Sequence, residues 1–278
     1  MSLVSGGETL RLERRGDGEV FWLTAPLEDR ADPQSVTGLL NGLTALKASR
    51  FLDADADGAA LGLDPAPNVV AVELAGGDDP WRLELGELAP GDGDDPDAPE
   101  RFARAGGQTV ALDTAGFRDP FELGVEEWRS RAWSSTQVFR VEGARFELGA
   151  AAVDIRRDSG DWIKGTEGGE DIRIDYVAAS DALYPLTEIR AVDLISRAEA
   201  AEAGYDLDAP ALTVTLTGSE DAQERLQLFT AGAPGGPAAA TVDGRDVVLQ
   251  IAPGDAATVL EKVAALRDAP PYVEPAGD

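Results

Sequence analysis

The chain repeats itself, and that constrains its fold more than any other feature. The segment "LNGLTALKASRFL", Leu40 to Leu52, matches "LYPLTEIRAVDLI", Leu183 to Ile195, without a gap. Leu40, Leu43, Thr44, Leu46, Lys47, Ala48 and Phe51 face Leu183, Leu186, Thr187, Ile189, Arg190, Ala191 and Leu194. Flanking segments match in the same order. "TLRLERR" with its Gly-Asp-Gly turn corresponds to "AAVDIRRDSGDWIKG", "LGLDPAPNVVAVEL" to "YDLDAPALTVTL", and "RLELG" to "RLQLF". Amphipathic helices resemble each other by chance. A collinear match of hairpins, helix and a Leu-Asp lead-in to a strand indicates a tandem duplication. With two copies, the outcome is a pair of related units rather than a solenoid.

Within a unit, period-2 alternation of Leu10 and Leu12, a Gly16–Gly18 turn and "EVFWLTAP" predict a β-hairpin. Asp32-Pro33 is an N-cap and first-turn pair. Val36, Leu39, Leu40, Leu43 and Leu46 then recur at helical spacing. "NVVAVEL" and "WRLELGEL" read as strands, followed by a hairpin about Gly106-Gly107. The predicted unit is α+β: a ββαββββ arrangement with a mainly antiparallel sheet covered by one main helix. The first unit spans 8–134, the second 135–269, and 270–278 is a disordered tail. Gly42 aligns with Pro185, so the second helix should kink or restart there. Trp22 and Trp162, at matching hairpin positions, read as core residues.

The chain has 278 residues, 43% of them hydrophobic, enough to close two cores. It has no Cys and no His, which excludes disulfides, thiolate chemistry, Ser-His triads and the commonest zinc ligands. The net charge is -28, a field that repels phosphates, so nucleic acid is a poor partner. Abundant Asp and Glu beside only Lys47, Lys164 and Lys262 is a salt-adapted balance. No apolar run reaches the roughly 18 to 20 residues of a membrane helix. "MSLVSGG" reads as an added start, so a natural anchor segment would lie outside this chain.

Two clusters invite a functional reading. Asp53, Asp55, Asp57, Gly58 and Asp64 approach the calcium-loop pattern D-x-D-x-D-G-x5-E. Against calcium, the last position is Asp rather than Glu, no exiting helix follows Asp64-Pro65, and the second copy lacks the alternation. The plainer reading is a solvated acidic linker, with Asp64 a turn or cap residue. The second cluster, "EEWRSRAW", places Trp128, Arg129, Arg131 and Trp133 where the copies meet. It reads either as an interaction surface or as indoles packing the seam under arginine stems. The acidic loop Ala89 to Glu100 reads as a surface connection. Paired carboxylates for a hydrolase are invisible to spacing alone, and the chain carries no phosphate loop or nucleophile elbow.

"WLTAPLEDRADPQSVTGLLNGLTALKASRFL", "LGLDPAPNVVAVEL" and "LELGE" resemble the bacterial domain-of-unknown-function family DUF4340. The resemblance rests on Trp22, Leu23, Pro26, Ala31, Asp32, Leu39, Leu40, Leu43, Gly62, Leu63, Asp64, Leu85 and Gly86. The second half matches less well, since its Trp-x-Leu-x-x-Pro segment lacks the Pro. The resemblance implies an N-terminal membrane helix, an extracytoplasmic remainder and an association with gliding-motility-type ABC-transporter components. It supplies no activity, cofactor or catalytic residue. The expected function is therefore a non-enzymatic accessory or scaffold module of an ABC-transporter-linked envelope complex. The alternatives are an extracytoplasmic ligand- or calcium-binding protein and a carboxylate-dependent hydrolase.

Overall fold

The computed structural model describes residues 1–15, 20–53, 55–74, 76, 79–89, 100–114, 117–165, 169–219, 222–231 and 236–273. The Gly16–Gly18 turn, most of the 89–100 loop and the last five residues lie outside that set. The chain divides into two units, Met1–Ser130 and Arg131–Asp278.

The first unit contains strands β1 (Ser2–Ser5), β2 (Glu8–Arg14), β3 (Phe21–Ala25) and β4 (Asp29–Arg30), then helix α1 (Pro33–Ala45). Strands β5 (Lys47–Phe51), β6 (Asn68–Val72), β7 (Trp81–Ala89), β8 (Glu100–Ala105) and β9 (Gln108–Asp113) follow. They form one nine-stranded sheet, ordered β4-β3-β2-β1-β6-β7-β8-β9-β5, with every pairing antiparallel. The second unit contains β10 (Gly143–Leu148), β11 (Ala151–Asp158), β12 (Asp161–Gly165), β13 (Asp171–Ile174), α2 (Tyr176–Glu188), β14 (Asp193–Ile195) and α3 (Arg197–Glu202). It continues with β15 (Leu212–Thr217), β16 (Gln223–Thr230), β17 (Ala238–Val242), β18 (Val248–Ile251) and α4 (Pro253–Asp268). Its sheet runs β13-β12-β11-β10-β15-β16-β17-β18-β14, the first order with every label raised by nine. The two helices also correspond without a gap, Pro33 to Tyr176 and Ala45 to Glu188.

These units are strand-rich, which corrects the expectation of an α+β layer under one helix. Three strands per unit escaped the ββαββββ reading. β1, taken as an added start, lies inside the sheet and pairs with both β2 and β6. β4 has two residues, too few to show a period. β5 continues the leucine-helix pattern, but Lys47–Phe51 pairs with β9 instead. Edge pairing there overrides helix propensity, so α1 ends at Ala45 rather than reaching Leu52. α2 also passes through Pro185 without restarting, ending at Glu188. A proline this close to a helix end removes one bond of the last turns, a smaller loss than in mid-helix.

In the first unit, Asp32 starts α1 by accepting from the backbone N–H of Gln34 and Ser35 at 3.0 Å. Val36 and Leu39 of α1 then pack on Leu3, Leu12, Leu23, Val70, Leu83, Leu85, Val110 and Leu112 of the sheet. Burying each such side chain is worth about 1.5–3 kcal/mol. Phe117, Phe121, Leu123 and Trp128, from the irregular segment after β9, complete this core. The second unit uses α4 at that point in the chain, and α2 and α4 share its larger core with Trp133, Phe146 and Trp162. A separate cluster, Ala200, Tyr205, Phe229, Ala239 and Val248, joins α3 to the second sheet. Phe229 and Val248 alternate with Leu228 and Leu249 of the larger core, so this cluster lies on the sheet's other face.

The matching Trp positions of the two hairpins are one residue out of register. Arg14 pairs with Phe21 and Leu12 with Leu23 in the first unit; Arg157 pairs with Trp162 and Ile155 with Lys164 in the second. Trp162 thus occupies the place of Phe21, and Lys164 the place of Leu23. A slip of one residue moves a side chain to the other face. Trp162 is 2% exposed, whereas Trp22 is half-buried under Arg15.

Lys164 is buried, and its ammonium donates to the carbonyls of Leu266, Arg267 and Ala269 at 3.3, 2.9 and 2.6 Å. It caps the C-terminus of α4, where a cation meets the negative end of the helix dipole. Burial pushes its pKa down, and Asp268 partly offsets that.

Candidate functional site

Residues 55–64 of the acidic loop fold as a buckle on β7. The Asp57 carboxylate accepts from the N–H of Ala59 and Ala60, and Leu63 N donates to Gly58 O at 2.8 Å. Gly62 is left-handed, with φ +68°, and delivers the fully buried Leu63 to the sheet. Glu87 N donates to Leu61 O at 3.0 Å, beside Gly86. A Cβ on Gly86 would lie 2.3 Å from that carbonyl, so only glycine admits the loop. Asp64 pairs with Arg104 at 3.1 Å, and Arg104 also reaches Glu84 at 3.1 Å. The Asp64 hydrogen bond is the main influence holding the Arg104 pKa up. Asp64 is therefore committed to an arginine, and Asp57 to two backbone donors. Among the described residues, no three His, Cys, Asp or Glu side chains gather into a set that could hold a metal.

Trp128 and Trp133 enter two different cores and are 1% and 0% exposed. Arg129 donates to Asp29 at 2.8 Å and to both oxygens of Glu126. Arg131 donates to Val192 O. These four residues serve as anchors for the chain around 128–133, and the indoles present no free surface.

Two features present unsatisfied surface instead. The first is at the sheet edges. β4 is covered by its own chain: Ala31 bridges Arg129, Ser130 N donates to Arg30 O, and Arg129 pairs with the buried Asp29. β13 receives Tyr272, from the segment expected to be tail, through Tyr272 N to Arg173 O at 2.8 Å, with the Arg173 guanidinium over the ring. No strand among the described residues pairs with the outer edge of β5 or β14. Phe51, at the end of β5, is 69% exposed.

The second feature is a groove of about 550 Å³ on the outer face of the second sheet, lined by Arg145, Glu147, Asp208, Thr213, Arg225, Gln227 and residues 149–152. Cross-strand pairing sets its walls: Arg145, Thr215 and Arg225 form one row, and Glu147, Thr213 and Gln227 the next. Arg145 is held by Glu147 and Asp154 at 3.0 and 2.9 Å. The sequence hid this groove because its residues come from β10, β15, β16 and the lead-in to β15. Its only linear trace is the alternating "LTVTLT" run of β15.

Over residues 22–210 the chain matches the family described as Domain of unknown function (DUF4340). The chain belongs to this family. The DUF4340 match begins in β3 and stops before β15, so it takes in part of each unit rather than one whole unit. The DUF4340 motif residues bear the fold: Leu23 and Leu39 are core, Asp32 is the helix cap, and Gly62, Leu63, Asp64 and Gly86 make the buckle. No curated protein and no solved structure matches the chain.

Several carboxylates have pKa values below the usual range. Asp171 is held down by Arg156, Glu199 by the backbone and hydroxyl of Ser196, and Asp268 by Arg267.

Proposed function

We propose that this DUF4340 protein is a non-enzymatic binding module, an accessory or scaffold part of an ABC-transporter-linked envelope assembly on the extracytoplasmic side. Its two sheets descend from one duplicated unit. The observation that carries the binding reading is the asymmetry of the sheet edges. The chain covers β4 and β13 itself, while no strand among the described residues pairs with the outer edge of β5, beside the exposed Phe51. An open edge accepts an extended segment of a partner subunit by strand addition, with backbone groups supplying affinity and side-chain pockets the choice of partner. The transporter link and the location rest on the family resemblance.

Affinity capture from native membranes tests this reading. Capture of ABC-transporter subunits that is lost on Phe51→Asp supports strand addition at β5. Capture that survives Phe51→Asp removes the edge mechanism, and failure to recover any transporter subunit removes the reading itself.

A further inference from the structure

We propose that the outer-face groove of the second unit binds a small hydroxylated carboxylate, a sugar acid in chemical class, with Arg225 as its anchor. The proposal is independent of the edge mechanism. It begins from the matched positions of the two sheets. In β7, Arg82 pairs with Glu84 at 3.1 Å. In β16 the same positions hold Arg225 and Gln227, because Leu83 corresponds to Leu226 in "RLELG" and "RLQLF". The acid has become an amide, and among the described residues the exposed Arg225 guanidinium has no carboxylate partner. Arg104, the cation beside Glu84, corresponds to Thr241, whose hydroxyl donates to Gln227 at 3.3 Å. The second unit has thus lost the ion pairs that close this row in the first.

The lining selects the ligand. Arg145 is neutralised by Glu147 and Asp154, so one cation, Arg225, is available for a bidentate carboxylate. Arg145 and Arg225 flank Thr215, about 10 Å apart at two strand spacings, leaving room between them for a sugar-sized ring. A dianion would meet Glu147 and Asp208 and be repelled. A neutral sugar would leave Arg225 unmatched. A molecule with one carboxylate and several hydroxyls places its charge on Arg225 and its hydroxyls against Glu147, Asp208 and Gln227. The groove, about 550 Å³, has the size of a small-molecule site.

Calorimetric titration of the whole chain at one fixed high salt concentration, with D-glucuronate, D-glucose and acetate as probes, tests this. Glucuronate should bind saturably, and glucose and acetate about tenfold more weakly or worse. Gln227→Glu rebuilds the internal pair of the first unit and should abolish glucuronate binding while leaving Arg225 in place. Arg225→Gln should do the same without moving the urea midpoint, since the side chain is exposed. Arg82→Gln, on the first sheet, should change nothing. Absence of saturable glucuronate binding overturns the proposal, as does binding unaffected by Gln227→Glu or Arg225→Gln. Acetate or glucose binding as tightly as glucuronate also overturns it.

Discussion

Gly86 and Phe229 occupy the same place in two sheets of the same design, and they use it in opposite ways. In the first unit the connection from β5 to β6 comes so close that Leu61 O would lie 2.3 Å from any Cβ on Gly86. Backbone fills the space, and the loop is held at its C-terminal end by Leu63 and by Asp64 on Arg104. In the second unit the equivalent connection forms α3, and the space is filled by the Phe229 ring among Ala200, Tyr205, Ala239 and Val248. One duplicated sheet has reached two ways of covering its second face. The family motif in the first unit records the backbone solution.

The largest expected effect comes from emptying the side-chain solution. Phe229→Ala removes a ring that is 1% exposed and should cost the second unit about 3–5 kcal/mol. Hydrogen exchange of peptides from 131–273, against those from 1–130, reads which unit loosens. Equal loosening of both units would break the comparison. Gly86→Ala should cost the first unit about 1–3 kcal/mol, because the obstacle is a carbonyl of the backbone and not a flexible side chain.

A third substitution sharpens the contrast between Leu23 and Lys164. Lys164→Met keeps the stem but leaves three carbonyls at the end of α4 without their donor, an expected loss of about 1–3 kcal/mol confined to the second unit. Unchanged exchange in 253–268 would show that the cap is dispensable. The smallest effect is with acid. Asp171 and Glu199 have folded pKa values below their unfolded ones. The stability they supply is fully present above their ordinary values of about 4 and is lost as the pH falls through the lower folded values. Arg156→Gln should therefore lower the urea midpoint of the second unit more at pH 6 than at pH 3. An Arg156→Gln effect of equal size at the two pH values contradicts the assignment.

The duplication was legible because its helices match without a gap and the flanking strands follow in the same order. The parts that were not legible share a physical cause: partners distant in sequence decide them. Leu46 to Leu52 carries a good helical pattern, and only the presence of β9 turns Lys47–Phe51 into a strand. Trp22 and Trp162 invite alignment by residue type, while the ladder to β2 and β11 sets them one position apart. Lys164 looks like a surface residue until α4 ends on it. The Asp53 stretch read as a solvated acidic linker with Asp64 as a turn or cap residue, and nothing local announced Arg104 as the partner of Asp64. The groove on the second sheet needs four separated segments and has no local signature.

The position of β5 at the far margin, beside β9 and not beside its sequence neighbours, has a consequence for biosynthesis. A ribosome delivers Lys47–Phe51 well before Gln108–Asp113 exists to receive it, and the same holds for Asp193–Ile195 and Val248–Ile251. Each half of the chain thus carries a ribbon that must wait for the last strand of its own half to be made. Long-range pairing of this kind slows folding, so the nascent chain leaves these ribbons bare for the longest time.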